Sequence, residues 1–243
     1  MPGVSGSAAV GNGVHLPQMR KPAWISAAQW TVSVAQCRHQ VSVTAGTVLH
    51  KTHMPLTKWF LAFYLVCQDK RGISAVQLSS QLGTTYKTAW YMLKRIRTAM
   101  GQRDEKHQLN GVIDFDDAYF GGPAKGKKRR RGTEKAKVFV ALSLDSQGKP
   151  RHLKMQVTPD IKPALKDFSH EHKTYDPSSG LLHWLHTIVS NAKAFISGTY
   201  HGLPKDNLQS YLDEFCFRFS RRSFAPALLD RLVLAIGVSG RLS

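Results

Sequence analysis

The sequence predicts an α/β protein in which a helical region precedes a domain with a mixed sheet. Helical periodicity dominates residues 54–105, whereas strand-type alternation begins after residue 110. Two further helical patterns then follow the strands, at residues 181–196 and 204–222. The chain is therefore expected to divide into a helical part and a strand-containing part.

Composition excludes several classes of protein. The chain has 243 residues, 42% of them hydrophobic, which is enough for a buried core and excludes wholesale disorder. Its 34 Lys+Arg against 16 Asp+Glu give a formal charge of +18, which favours a nucleic-acid partner over a membrane. No apolar stretch approaches the roughly 20 residues of a membrane span, and no secretory signal is evident. We therefore expect a cytoplasmic protein.

Two segments precede the helical region. Residues 1–30 are rich in Gly, Ser, Ala and Pro and follow no regular period, so we predict a disordered leader. Residues 31–53 contain the β-branched run Val41-Ser-Val-Thr, which predicts one or two short strands. A helix follows over residues 58–66, with Thr57 as its cap.

Within residues 54–105, two short amphipathic patterns are joined by a tight turn at Gly83. This is the sequence form of a helix-turn-helix, whose second helix enters a DNA groove. An ordinary helical hairpin with a solvated basic face gives the same pattern, so both interpretations stay open. The side chains predicted to face outward are Tyr86, Lys87, Thr88, Lys94, Arg95 and Arg97, and the first five are the predicted DNA contacts.

A polar linker over residues 101–110 leads into three strand patterns. Residues 111–120 and 151–157 alternate between apolar and polar, and residues 138–144 form a continuous apolar run. Asp145-Ser-Gln-Gly148 is a good hairpin turn between the last two. The sequence therefore predicts a three-stranded antiparallel unit.

Three carboxylates fall on the first of these strands. Alternation places Asp114 and Asp116 on one face and Asp117 on the other. Burying such residues is costly unless a cation neutralises them, and their oxygen atoms suit Mg²⁺ or Mn²⁺. The alternative is a strand end that emerges into solvent.

Residues 116–122 read Asp-Asp-Ala-Tyr-Phe-Gly-Gly and are followed by a basic tongue, residues 125–131, between the first and second predicted strands. This resembles the opening of the catalytic domain in bacterial insertion-sequence transposases of the DDE superfamily. The group in question carries an N-terminal zinc ribbon, a helix-turn-helix and a D-E-x-Y-x-G-G strand. Further stretches agree in the same order, from about residue 36 to 222: VSVTAGT (41–47) with KTHMPLTKW (51–59), HWLHTIVSNAK (183–193) with SGTYHGL (197–203), and YLDEFCFRFSRR (211–222).

The resemblance implies a ribonuclease H-like domain over residues 106–222 that holds two divalent ions, Mg²⁺ or Mn²⁺, for strand cleavage and transfer. Asp116 matches the first metal-binding aspartate, and Asp117 stands where the group usually has Glu. His186 matches the third position, often Asn or sometimes His, and Lys193 matches a lysine seven residues later. The implied metal ligands are Asp116, Asp117 and His186, and the implied catalytic residues are Asp116, His186 and Lys193.

The alternative for His186 is an ordinary surface histidine, and His201 is a further candidate at the rim of the site. Lys193 is expected to meet a DNA phosphate. Further phosphate contacts are expected from Arg218, Arg221 and Arg222 and from the basic tongue, although a charge run can also be a solvated face. The tongue residues predicted to bind DNA are Lys127, Lys128, Arg129, Arg130 and Arg131.

Two departures from the group matter. A zinc ribbon needs two Cys-x-x-Cys pairs, but Cys37 lacks its partner because Val34 takes that place, so no structural zinc is expected. The group also has a second aspartate on a further strand, reached through a helical crossover. The 25 residues between Val157 and His183 hold four Pro or Gly residues, so we predict a deletion there and an incomplete domain. Asp160 and Asp167 are the nearest substitutes.

Three functions are consistent with these observations. The first is a DNA-binding transposase-family protein, nucleoid-associated and homodimeric on the double-stranded DNA ends of an insertion sequence. The second is a catalytically inactive, sequence-specific DNA-binding protein derived from a transposase. The third is a general RNA-binding or ribosome-associated basic protein. Residues 223–243 are expected to form a C-terminal tail.

Overall fold

The computed structural model describes residues 23–26, 31–34, 40–121, 135–158, 182–201 and 203–240. Six α-helices and two three-stranded antiparallel sheets lie in these ranges. The predicted mixed α/β class is therefore confirmed. Across the same ranges, no helix is both long and apolar enough to cross a membrane.

Four helices enclose one apolar core: α1 (Leu56–Gln68), α2 (Ala75–Leu82), α3 (Tyr86–Glu105) and α6 (Leu228–Val238). The inward face of α3 follows the predicted i, i+3, i+4, i+7 spacing. Its buried apolar side chains are Ala89, Met92, Leu93, Ile96, Ala99 and Met100. The apolar periodicity of the helical region therefore identified this core correctly.

The last helix corrects the predicted C-terminal tail over residues 223–243. Leu232, Ala235 and Ile236 of α6 are buried in the helical core. Their spacing is that of an amphipathic helix, so the signal was present in the sequence. A short 3₁₀ segment, Arg222–Ala227, leads into this helix from the preceding one.

The second sheet consists of β4 (Ile113–Phe120), β5 (Ala136–Leu144) and β6 (Pro150–Val157), hydrogen-bonded in that order and antiparallel. This confirms the predicted three-stranded unit. In the turn between β5 and β6, the Asp145 Oδ1 atom accepts hydrogen bonds of 2.9 Å from the amides of Gln147 and Lys149. That side chain thereby replaces backbone partners that the turn lacks.

Two helices, α4 (His183–Thr199) and α5 (Leu208–Ser220), cover one face of this sheet and form the second core. The predicted apolar stripe of α5 packs there as expected, with Leu208 and Leu212 buried. Gln209 ties the same helix to β6, since its side chain accepts from the Val157 amide and donates to the Met155 carbonyl. The covered face of the sheet is therefore held firmly beneath the two helices.

A smaller sheet precedes the helices and consists of β1 (Ala23–Ser26), β2 (Thr31–Val34) and β3 (Gln40–Ser42). The first of these strands lies inside the segment predicted to be a disordered leader. The strand β1 is held by backbone hydrogen bonds to β2. Such pairing cannot be predicted from the four residues of β1 alone. The helix α1 begins at Leu56 after Pro55, so the predicted cap Thr57 lies within the helix instead.

Candidate functional site

Asp116 and His186 meet where β4 passes beneath α4. Asp116 pairs with Val140, so its side chain points to the sheet face that the two helices cover. Its Oδ2 atom lies 3.5 Å from the Nε2 atom of His186, in the first turn of α4. The two side chains are 40% and 36% exposed, so a ligand can reach the pair. The Asp116 Oδ1 atom also accepts a 2.7 Å hydrogen bond from the Asp117 amide, which orients the carboxylate.

The other two carboxylates of β4 have different surroundings. Asp114 shares the face of Asp116, and burial raises the pKa of its carboxyl. Asp117 points to the opposite face, as the alternation predicted, and its Oδ2 atom lies 3.7 Å from the Lys137 ammonium. The structure therefore brings Asp116 to His186 and leaves Asp117 on the far side of the strand.

Lys193 lies two turns beyond His186 on the same helix, as the spacing predicted. Its ammonium is 5.7 Å from the centre of the Phe120 ring, at the end of β4. Burial, followed by the charge of Lys135, lowers the pKa of Lys193. The helix α4 and the strand β4 therefore meet at two places, at His186 with Asp116 and at Lys193 with Phe120; we call this contact region the helix–strand junction. His201 is exposed in the turn after α4.

The predicted metal set is only partly assembled. Within the described ranges, no group of three His, Cys, Asp or Glu side chains is placed to hold an ion. The ligand set Asp116, Asp117 and His186 is divided because consecutive strand residues face opposite ways. What converges is one carboxylate and one imidazole, and the roles of all three stay predictions.

The turn between α2 and α3 is built from local capping. Ser74 caps α2 by accepting from the Gln77 amide, and Thr85 caps α3 by accepting from the Thr88 amide. Gly83 ends α2 with φ +57° and ψ +49°, a left-handed conformation that glycine adopts easily. The predicted tight turn between two helices is thus present.

The first turns of α3 present aromatic and cationic side chains to solvent. Tyr86 is 57% exposed and Tyr91 is 50% exposed. Lys87 and Lys94 are also exposed, and the Lys94 ammonium lies 5.5 Å from the centre of the Trp90 ring. Sequence reasoning missed Tyr91, although its position off the apolar stripe is a readable signal.

Three other α3 side chains that were predicted to face outward have partners within the protein. The Thr88 hydroxyl is 2.9 Å from that of Thr85 within the cap. The Arg95 guanidinium donates to the carbonyls of Val48 and His50. Arg97 is 2% exposed and binds Glu214 at 2.8 Å, so the prediction that it faces outward is wrong. Arg95 and Arg97 therefore connect parts of the chain that are distant in sequence, whereas Thr88 completes the exposed cap of α3.

The C-terminal arginines of α5 also have structural roles. Arg218 binds Glu214 and the carbonyls of Val66 and Asp69. Arg221 is buried and lies 2.7 Å from Asp104. The prediction that these two contact phosphate is therefore wrong. Arg222 is more exposed but donates to backbone carbonyls of β6 and α5.

Several predictions fall outside the described residues. These are the tongue residues Lys127, Lys128, Arg129, Arg130 and Arg131, the lone ribbon cysteine Cys37, and the two substitute aspartates Asp160 and Asp167. The predicted deletion also falls there, between residues 159 and 181.

Comparison with known proteins gives one informative match. A protein of Halobacterium salinarum described as an uncharacterized protein in transposable element ISH50 is 27% identical over 122 residues. The match covers 49% of this chain and 40% of the relative, so this chain spans less than half of that relative's length. No family model matches the chain. No solved structure matches it either.

Proposed function

We propose that this chain is a transposase-family protein of the DDE superfamily that binds DNA and cleaves and transfers its strands. The observation that carries the proposal is the Asp116–His186 pair, which lies at 3.5 Å on two elements far apart in sequence. The similarity to a protein of a transposable element independently suggests an insertion-sequence-related role. A charge of +18 suits a phosphate-rich partner.

A divalent ion, Mg²⁺ or Mn²⁺, is the proposed cofactor, and Asp116 and His186 would hold it. Adjacent ligands on an ion with bonds of about 2.1 Å are about 3 Å apart, and the pair lies close to that spacing. Such an ion needs only one or two protein ligands, since water and phosphate oxygens complete its shell. It would supply activation of the attacking oxygen and stabilisation of the leaving oxygen at phosphorus.

The side chains around the pair have separate proposed tasks. Asp116 is oriented by the amide of the next residue, and its Oδ2 atom is directed at His186. Lys193, at the other end of the helix–strand junction, would bind a phosphate of the strand and position it. We give Asp117 no ligand role, because its carboxylate faces Lys137 on the opposite side of β4.

The turn between α2 and α3 is the proposed duplex-binding element. It has the order and spacing of a helix-turn-helix, and the first turns of its second helix expose Tyr86, Lys87 and Lys94. Side chains at that end of a recognition helix reach base edges in the major groove. A homodimer holding two double-stranded ends is the proposed form on DNA.

Cleavage of supercoiled plasmid in Mg²⁺ or Mn²⁺ tests the enzymatic proposal. Asp116→Asn and His186→Ala should each reduce nicking at least a hundredfold, whereas the surface control Asp206→Asn should leave it unchanged. Binding of Mn²⁺, followed by electron paramagnetic resonance, should weaken in the same two variants. Full nicking by Asp116→Asn would overturn the assignment of this site.

A second candidate is a catalytically inactive DNA-binding protein. Two observations on the described residues favour it. The sheet that carries Asp116 has three strands there, and no group of three His, Cys, Asp or Glu side chains is placed to hold an ion. This candidate predicts duplex binding that needs no divalent ion, is lost in Lys87→Ala and survives Asp116→Asn. A protein that binds duplex DNA in this way and never nicks it would establish the second function over the first.

A further inference from the structure

A cavity of about 220 Å³ lies between the C-terminal end of α3, the strand β6 and the connection from α5 to α6. It is distinct from the Asp116–His186 site. Asp116 faces the helix-covered side of the sheet with Val140 and Met155, whereas Lys154, the next residue along β6, faces the opposite side. The side chains that carry the inference are Arg103, His107, His152, Lys154, Phe224 and Arg231.

The cavity has an excess of positive charge. The one carboxylate in its lining, Asp104, lies 2.7 Å from Arg221, so these two charges offset each other. The remaining Arg and Lys side chains of the lining are Arg103, Lys154 and Arg231. In the part of the chain that the structure describes, no carboxylate oxygen lies within 4.0 Å of their charged nitrogens. Three cations at one concave surface favour an anionic ligand.

Flat rings lie beside these cations. The imidazoles of His107 and His152 are stacked, with centroids 5.8 Å apart and planes 17° apart. Phe224 is 47% exposed, and the Arg231 guanidinium lies 4.0 Å from its ring centre. Proteins that bind single strands combine cations for the backbone with rings on which bases stack.

The electrostatics of His152 agree with this description. Burial and the positive neighbours His107, Arg151, Arg221 and Arg222 lower the pKa of its imidazole. The lining also brings Arg103, Lys154 and Arg231 near it, against the single carboxylate of Asp104. An added cation is therefore disfavoured at this point, and a bound phosphate would relieve the repulsion.

We infer that this cavity binds single-stranded DNA, with phosphodiester groups on Arg103, Lys154 and Arg231 and a base against the exposed rings. In a duplex the base faces are already stacked, so the rings favour an unpaired strand over the duplex assigned to α3. The inference rests on the proposed function only in taking the nucleic acid to be DNA. The cleaved or frayed end of a substrate is the kind of strand that would enter.

The test is binding of a fluorescent 12-nucleotide oligo(dT) to the full chain in EDTA. The double variant Lys154→Gln/Arg231→Gln should bind at least fivefold more weakly. The slope of log affinity against log salt should fall by about 1.4, since a single strand loses about 0.7 per phosphate contact. A matched control that also removes two positive charges, Lys70→Gln/Lys205→Gln, changes exposed residues outside the cavity lining and should stay within twofold of wild type.

A second measurement needs no variant to fold. In wild-type protein with isotope-labelled histidine, oligo(dT) should shift the nuclear magnetic resonance signals of the His107 and His152 imidazoles. The mononucleotide dTMP, added at the same phosphate concentration, should shift these signals far less. Unmoved signals, or equal affinity of the pocket and control variants, would overturn the inference. Equal shifts with dTMP would replace the strand by a free phosphate ester. Because EDTA removes the divalent ion, a failure of the Asp116 site leaves these results unchanged.

Discussion

Two acid–base pairs of side chains in this molecule differ mainly in their burial. The Asp116–His186 pair lies at 3.5 Å with side chains 40% and 36% exposed. The Arg97–Glu214 pair, between α3 and α5, lies at 2.8 Å with side chains 3% and 2% exposed. Arg218 joins the second pair at 2.9 Å from Glu214, so one buried carboxylate serves two guanidinium groups.

The comparison shows how the surroundings decide what a charged residue does. Burial by itself raises the pKa of Glu214, but Arg97 and Arg218 outweigh it, so the pKa lies below its ordinary value. The Arg97 guanidinium also lies 3.9 Å from the Tyr211 ring centre. No ligand can reach that cluster, so it serves stability. The exposed pair contributes less to stability, and a ligand can reach it.

The largest effect is expected from breaking the buried cluster. Glu214→Ala leaves Arg97 charged and uncompensated in the interior, so the free energy of unfolding should fall by about 3–5 kcal/mol. Urea denaturation measures the change. A loss below about 1 kcal/mol would mean that the two arginines find other partners and that burial does not distinguish the pairs.

The next effect concerns the packing beside that cluster. A Cβ atom at Gly72, where φ is +82°, would lie 2.2 Å from the buried Tyr200 hydroxyl. Gly72→Ala should therefore lower the free energy of unfolding by about 3 kcal/mol, of which about 1–2 kcal/mol is backbone conformation. Gly148→Ala is the matched control, since φ is +70° there with nothing within 4 Å. Equal losses in thermal denaturation would contradict a tight cluster.

A third test concerns a half-buried carboxylate in the same helix as Glu214. Burial raises the pKa of Asp213 to about 6, although the hydrogen bond from Gln209 opposes the shift. Because the folded pKa exceeds the unfolded value near 3.8, the stability contributed by Asp213 is lost as pH rises from about 4 to 6. Asp213→Asn should thus stabilise the protein by about 1–2 kcal/mol at pH 8.

The gain from Asp213→Asn should fall to less than half of that value at pH 4.5. Urea denaturation of both proteins at the two pH values checks this difference. A gain that does not depend on pH would show that the carboxyl is not buried as described.

The smallest effect is expected at the exposed pair. Asp116→Asn removes a half-exposed contact between the Asp116 carboxylate and the His186 imidazole, so the free energy of unfolding should change by less than about 1 kcal/mol. Chemical denaturation measures this, and the nicking assay gives the corresponding activity. A loss as large as that of Glu214→Ala would make Asp116 a structural residue.

Much of the fold was predictable because its signals are local. The three-stranded sheet follows from alternation and from the Asp145 turn, and the α2–α3 turn follows from the residues around Gly83. The helix α6 was missed although its spacing is visible, because a short apolar pattern near a chain end was taken for a tail. The hydrogen bonds that Asp145 accepts within the β5–β6 turn are also local, because their donors lie two and four residues away.

The roles of the arginines were not predictable in the same way. Arg97 finds its partner 117 positions away in sequence, and Arg218 reaches the end of α1 across 149 positions. A cation on a helix looks the same in sequence whether it meets phosphate or Glu214. The nearness of Asp116 and His186 was expected from the family resemblance, since no spacing rule joins residues on different elements.

The helix α3 belongs to both halves of the molecule. It is 20 residues long, and the outer side of its N-terminal turns is exposed at Tyr86 and Tyr91, while Arg97 and Gly101 lie against α5. An α-helix of that length measures about 30 Å, which matches about nine base-pair steps of 3.4 Å. The helix therefore fixes the separation between its exposed N-terminal side chains and its contact with α5, and a duplex held at Tyr86 would have to extend or bend over that distance to reach the second core.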